Sequence, residues 1–155
     1  MNETTIVQIG DPLPVIASVA PAGPTSVRVV WAAGDRAGRE DIVDLAPLLY
    51  TRKLYRGLRE DEALFRTVHI IAEGDAIAWG DDEAIDMAAT AVERLAEEVM
   101  TPTDFKAFLE RNGFTLDAAA AQLGISRRLV AYYASGKDVP RYIALACAYL
   151  DRQAA

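Results

Sequence analysis

Leu116-Asp-Ala-Ala-Ala-Ala-Gln-Leu-Gly-Ile-Ser-Arg-Arg-Leu-Val-Ala-Tyr-Tyr-Ala-Ser135 decides how the last third of the chain folds. It predicts two short helices, about Leu116 to Leu123 and about Arg127 to Ser135, around the turn Gly124-Ile125-Ser126. Helices that cross steeply need small residues where their backbones approach, and Ala119 and Ala120 supply them. Gly124 tolerates the positive φ of the turn. Ser126 can cap the second helix by accepting an amide hydrogen bond. Leu116, Ala120, Leu123, Ile125, Val130 and Tyr133 then meet in a small core, with Phe105, Phe108, Leu109 and Ile143 as its walls.

Phase identifies the outward face. With Val130 and Tyr133 turned inward, Arg127, Arg128, Ala131, Tyr132 and Ser135 share the opposite side of the second helix. This is the arrangement with which a helix-turn-helix puts side chains into the major groove of DNA. Arginine reads guanine through a bidentate pair or holds a phosphate. Tyr132 can bond a phosphate or stack on a sugar, and Ala131 is small enough to meet a thymine methyl. Gln122 and Thr115 are placed to anchor the first helix to the DNA backbone, and Lys137 to reach a phosphate after the second. The candidate DNA-contacting set is Gln122, Ser126, Arg127, Arg128, Ala131, Tyr132, Ser135 and Lys137.

Charge divides the chain at the same place as pattern. Its 155 residues carry a net charge of -7. Residues 1–100 hold 9 Lys+Arg against 18 Asp+Glu, and residues 101–155 hold 7 against 5. Phosphate repels the first part and not the second. The expected organisation is an α+β domain over 1–100 and an all-α helix-turn-helix domain over 101–155. A fraction of 52% hydrophobic and 25% charged residues is that of an ordinary globular protein. No apolar run reaches the roughly 18 residues of a membrane span. The start, Met1-Asn2-Glu3-Thr4-Thr5, does not read as a signal peptide. A cytoplasmic protein without membrane contact is expected.

The first eighty residues read mainly as strands. Pro14–Val19, Ser26–Ala33 and Arg39–Asp44 are separated by Pro21-Ala-Gly-Pro24 and by Gly34-Asp35 with Gly38, the punctuation of an antiparallel meander. Leu45-Ala-Pro-Leu-Leu49 covers an edge or enters a short helix. Tyr55–Leu58 and Glu62–Phe65 read as helical turns. Thr67–Ile71 and Ala76–Trp79 are further strands across Glu73-Gly74-Asp75. From Ala84 the residues Ile85, Ala88, Val92, Leu95 and Val99 repeat as one helical stripe. Asp81, Asp82 and Glu83 stand at its positive end. The fold class is therefore α+β: a small antiparallel sheet with a packed helix, followed by the helical domain. The stripe packs on the sheet or, as the rival reading, pairs with a second copy. Thr101 or Thr103 caps the next helix, which stops at Asn112-Gly113. Pro140 begins a last helix to about Gln153.

Other candidate chemistry is thin. His69, the single histidine, alternates with Val68 and Ile70 as a partly exposed strand residue. Cys147, the single cysteine, shares an apolar helix with Ile143 and Leu150 and reads as a buried thiol; one cysteine excludes an internal disulfide. One histidine and one cysteine in separate segments do not make a nucleophile and its base. Asp81-Asp82-Glu83 with Asp86 does not have the spacing of a calcium loop. Trp31, Trp79 and Tyr55 read as core or edge residues and not as a ligand cage. No enzyme activity, catalytic residue, metal or cofactor is expected.

The segment from about Thr103 to Leu150 resembles the lambda-repressor-like (Xre-type) helix-turn-helix domain, through Ala119-Ala120, Leu123-Gly124-Ile125-Ser126, Val130, Tyr133, Gly136 and Pro140. The resemblance implies base contacts by Arg127, Arg128 and Tyr132. It departs at Ala131-Tyr132, where the family often has Ser before its Trp or Tyr. The first part is similar to a small bacterial α+β domain of unknown function, through Val27–Trp31, Asp41–Leu49, Leu64-Phe65-Arg66 and Ile77–Gly80. That family sometimes precedes a helix-turn-helix and is found beside toxin genes, which implies an antitoxin-like regulator.

These readings lead to a sequence-specific transcriptional regulator binding double-stranded DNA through Arg127–Ser135. Its alternative is a protein-interaction or antitoxin-like module with a vestigial helix-turn-helix. A homodimer is expected, since one short helix reads few bases. Its face is the Ile85–Val99 stripe or the last helix, where Leu145 and Tyr149 lie off the Ile143–Leu150 stripe. The N-terminal domain supplies dimerisation, a protein-partner contact or an effector site.

Overall fold

The structure, a computed structural model, describes residue 10 and residues 12–155. The start that was read for a signal peptide lies outside the described residues. The chain divides into two units, one through Ala96 and one from Glu97 to Ala155.

The first unit opens with the meander β1 (Val15–Pro21), β2 (Ser26–Ala33) and β3 (Glu40–Asp44), paired antiparallel in that order. Alternation along β2 turns Val27, Val29 and Trp31 inward, where they are buried. Ile16 sits across from Trp31 and Val43 across from Val27 in the register. Each such buried side chain is worth about 1.5–3 kcal/mol relative to exposure. Short helices α1 (Ala46–Leu49), α2 (Arg56–Glu60) and α3 (Glu62–Phe65) follow, with a 3-10 turn at Lys53–Tyr55. They bury Leu49, Tyr55, Leu58 and Phe65 against the same core.

A second three-stranded antiparallel sheet is formed by β4 (His69–Ile71), β5 (Ala76–Trp79) and β6 (Ile85–Ala88). Here the expectation of a helix from Ala84 is corrected. Ile85–Ala88 is a strand, with Met87 opposite Ile77 and Ile85 opposite Trp79. The helix α4 begins only at Ala89 and ends at Glu97. The reason is non-local: β5 is buried along its whole length and needs a hydrogen-bonding neighbour on its second edge. Asp81, Asp82 and Glu83 therefore precede a strand, not a helix, and the Ala84 amide donates to Asp82. The apolar stripe shortens with the helix. Val92 and Leu95 enter the core, Ala88 is exposed and Val99 is 58% exposed. With its central residues buried, the stripe is not a free dimer face.

The second unit is all helix: α5 (Pro102–Asn112), α6 (Leu116–Leu123), α7 (Arg127–Ser135) and α8 (Arg141–Ala154). Its boundaries are written in its caps. Thr101 and Asp104 form a reciprocal capping box at the start of α5, and Thr115 caps α6. Phe105, Phe108, Ala119, Val130, Tyr133, Ile143 and Cys147 form the core, with Leu116, Ala120, Leu123 and Ile125 packed against it. Phe105 meets the Tyr133 ring edge-on at 5.6 Å between centroids. Asp151 on α8 accepts two hydrogen bonds from Arg111 and one from Asn112, tying the end of α5 to the last helix. Among the described residues, no helix is long and apolar enough to cross a membrane.

Candidate nucleic-acid interface

The turn between α6 and α7 has the geometry its residues dictate. Gly124 ends α6 at φ 69°, where a Cβ is strained. Ile125 packs on the core, and the Ser126 hydroxyl accepts from the Leu129 amide at 3.1 Å to start α7. Val130 and Tyr133 are buried, which fixes the rotation of α7 about its axis. Burial pushes the Tyr133 hydroxyl above its ordinary pKa, with a further contribution from its hydrogen bond to Tyr142. A protonated, bonded hydroxyl suits a residue that closes the core.

The same rotation exposes Arg127, Arg128, Tyr132 and Ser135, while Ala131 is half-buried. Three of the residues selected from the sequence come together. Arg128 Nε donates to the Tyr132 hydroxyl at 2.6 Å, and its guanidinium carbon lies 5.3 Å from the Tyr132 ring centroid. Lys137, beyond the end of α7, places its ammonium 5.8 Å from the centroid of that ring. Tyr132 is 41% exposed, so an aromatic ring flanked by two cations faces solvent. Such cation–π contacts hold long side chains near one geometry at a gain of about 0.5–1 kcal/mol each at exposed sites.

Arg127 is engaged differently. Its Nε lies 3.2 Å from the Asp117 carboxylate in the first turn of α6. Asp117 is a member of this face that pattern-reading missed. Ser135 donates to the Tyr132 carbonyl, and the Thr115 hydroxyl accepts from the Ala118 amide, so both have local structural work. Gln122 is exposed on α6.

Two cations elsewhere in this unit are tied down, Arg111 by Asp151 and Arg141 by Glu98. Arg128 and Lys137 have no acidic partner among the described residues, and both sit on Tyr132. The face thus offers two uncommitted positive charges, a hydroxyl and a ring over a short span. That is the chemistry of phosphate and base-edge contact. Among the described residues there is no group of three metal-ligating side chains.

No protein-family model and no curated protein matches the chain. Among solved structures it is similar to the crystal structure of "Putative DNA Binding Protein NE0471" from Nitrosomonas europaea ATCC 19718. The two are 32% identical over 86% of this chain and 84% of that one, with a TM-score of 0.45. It is the sequence identity, and not the superposition, that relates them: the chain belongs to the family of that Nitrosomonas europaea protein.

Proposed function

We propose that this protein is a sequence-specific DNA-binding regulator of transcription, with a C-terminal helix-turn-helix of the lambda-repressor-like type. In this reading α7 enters the major groove. Arg127 and Arg128 reach base edges or the phosphates beside them, Tyr132 and Lys137 hold phosphates, and Gln122 anchors α6. The observation that carries it is the convergence of Arg128 and Lys137 on the exposed Tyr132 ring. Cations without acidic partners are gathered at one point on the helix that phase had singled out. The name of the Nitrosomonas europaea relative, a putative DNA-binding protein, points the same way.

Binding as a dimer follows from the size of the face, since one helix of nine residues covers few base pairs. Leu145 and Tyr149 are exposed on α8, and α8 remains the candidate dimer face. The α+β unit is the part left for a protein partner or an effector.

The test is binding to the duplex upstream of the protein's own gene, by fluorescence anisotropy across a salt series. Arg127→Ala and Arg128→Ala should each cost about 1–3 kcal/mol if they read bases, and less if they touch phosphate alone. A double variant that binds this duplex like the parent removes the proposed face. The second reading, a partner-binding module with a vestigial helix-turn-helix, has one observation in its favour: Asp117 already occupies Arg127. It requires that the parent show no salt-dependent DNA binding at all.

A further inference from the structure

The acidic α+β unit carries one stretch whose charge is reversed. From residue 45 to residue 59 the chain reads Leu-Ala-Pro-Leu-Leu-Tyr-Thr-Arg-Lys-Leu-Tyr-Arg-Gly-Leu-Arg. It holds 4 of the 9 cations of residues 1–100 and none of their 18 acids. Buried Leu48, Leu49, Tyr55 and Leu58 fix it to the core from below. Above them Tyr50, Thr51, Arg52, Lys53 and Leu54 are five consecutive exposed residues. Tyr50 is 63% exposed and Leu54 52%.

Two cations elsewhere in the unit are spent on acids. Arg28 is paired with Glu40, and Arg36 with Asp41. Within the stretch Arg56 pairs with Glu60. Arg52 and Lys53 have no ion pair among the described residues. Arg59 lies 5.4 Å from the Tyr50 ring centroid and donates to the Tyr50 carbonyl at 3.3 Å. A cation stacked on an exposed tyrosine beside further free cations repeats the arrangement on α7, on a separate unit.

We propose that Arg52, Lys53 and Arg59, around Tyr50, form a second nucleic-acid surface that takes backbone phosphates of duplex DNA. The inference rests on the DNA-binding reading of α7. An acidic protein surface is the rival occupant. Duplex phosphate is favoured because it supplies a dense row of negative charge, about one per 1.7 Å of helix axis. Such a row suits adjacent cations that no acid among the described residues has claimed. Contacts of this kind add affinity and salt dependence without reading sequence.

The experiment measures the salt dependence of the full-length protein on a long random-sequence duplex. The proteins compared are the parent, Arg52→Gln/Lys53→Gln, the charge-keeping Arg52→Lys/Lys53→Arg, and Arg127→Ala/Arg128→Ala. All four changed side chains are exposed, and far-ultraviolet circular dichroism verifies that each variant is folded. Each phosphate contact contributes about 0.9 to the slope of log K against log salt. The glutamine pair should therefore be shallower than the parent by about 1.8, and the charge-keeping pair should match the parent. A glutamine pair with the parental slope overturns the proposal and leaves the patch to an acidic protein. So does a charge-keeping pair that behaves like the glutamine pair. If the glutamine pair keeps its slope while the α7 variant loses binding, only the second surface falls. If the α7 variant binds this random sequence like the parent while the glutamine pair is shallower, the second surface stands and Arg127 and Arg128 are left to base contacts on the specific duplex. A parent that binds no duplex overturns both.

Discussion

Asp117 Oδ1 lies 3.2 Å from Arg127 Nε, joining the first turn of α6 to the first residue of α7 across the helix-turn-helix. Both side chains are open to solvent, at 80% and 61%, so the pair contributes about 0–1 kcal/mol to stability. Its effect on DNA binding should be larger. An acid beside the proposed contact face repels phosphate and keeps Arg127 from the groove. We expect Asp117→Asn to bind duplex DNA several-fold more tightly than the parent, most visibly at low salt. The same change removes an acid from the positive end of α6 and should cost about 0.3–1 kcal/mol in a urea melt. Affinity and stability thus move in opposite directions. A folded Asp117→Asn protein that binds no better than the parent would show that Asp117 does not restrain Arg127.

The difference between the two units in legibility has a physical basis. In the helical unit each boundary is set by residues next to it: Thr101 with Asp104, Gly113, Thr115, Gly124 and Ser126. Local hydrogen bonds are visible in sequence, and α6 and α7 begin and end where those residues put them. In the α+β unit the decisive facts are pairings between distant segments. Ile85, Ala88, Val92 and Leu95 fit a helical repeat, but Ile85-Asp-Met-Ala88 also alternates, and the demand of β5 for a second neighbour chose the strand. Two sheets rather than one continuous sheet is likewise a matter of pairing. At the candidate site, helical phase was enough to bring Arg128 and Tyr132 onto one face. The Asp117–Arg127 pair spans the crossing of two helices, and no spacing rule along one helix reveals it.

Gly74 and Gly124 both have positive φ, yet alanine should act very differently at the two. At Gly124, φ is 69° and a Cβ would meet nothing within 4 Å. Gly124→Ala should cost about 1 kcal/mol, the conformational penalty alone. At Gly74, φ is 99° and a Cβ would run into the Ile16 carbonyl oxygen and stand 2.7 Å from Val15 Cγ1. The nearest obstacle is the backbone of β1, which cannot swing aside. Gly74→Ala should cost several kcal/mol, about 3 or more, and separate β1 from the turn at Ala72–Gly74. Both tryptophans lie in the α+β unit, so tryptophan fluorescence in urea reads the Gly74 change directly. Equal losses at the two glycines would show that β1 can retreat.

Cys147 is fully buried in the helical unit, and burial pushes its thiol up to about 12. Asp151 adds to the shift, while Arg111 opposes it. A neutral thiol without access to solvent is not a nucleophile. Iodoacetamide at pH 8 should leave the folded protein unlabelled and modify it stoichiometrically in denaturant. Because the cysteine belongs to the helical core, its slow labelling under native conditions measures the opening of that unit alone. Rapid native labelling would show that α8 detaches readily.

Acid should weaken both units through one carboxylate in each. The Arg36 guanidinium, bonded to both oxygens of Asp41, holds that carboxyl below its ordinary 3.8, with Trp31 assisting and burial opposing. Arg111 does the same for Asp151, again against burial and with help from Asn112. In each case protonation is harder in the folded state than in the unfolded one. The stabilisation is therefore complete above the unfolded value, near pH 4, and is lost as pH falls through the lower folded value. Each such group adds up to about 1.4 kcal/mol per pH unit to the slope in that window. Trp31 donates to Asp41 at 2.8 Å, so tryptophan fluorescence follows the first unit, and helical circular dichroism chiefly the second. Asp41→Asn should flatten the acid limb of the fluorescence melt and leave that of the helical unit unchanged, with Asp151→Asn doing the reverse. Both variants start from lower stability at pH 7, having given up an ion pair. If Asp41→Asn loses stability on acidification as steeply as the parent, the Arg36–Asp41 pair is not what makes the α+β unit sensitive to acid.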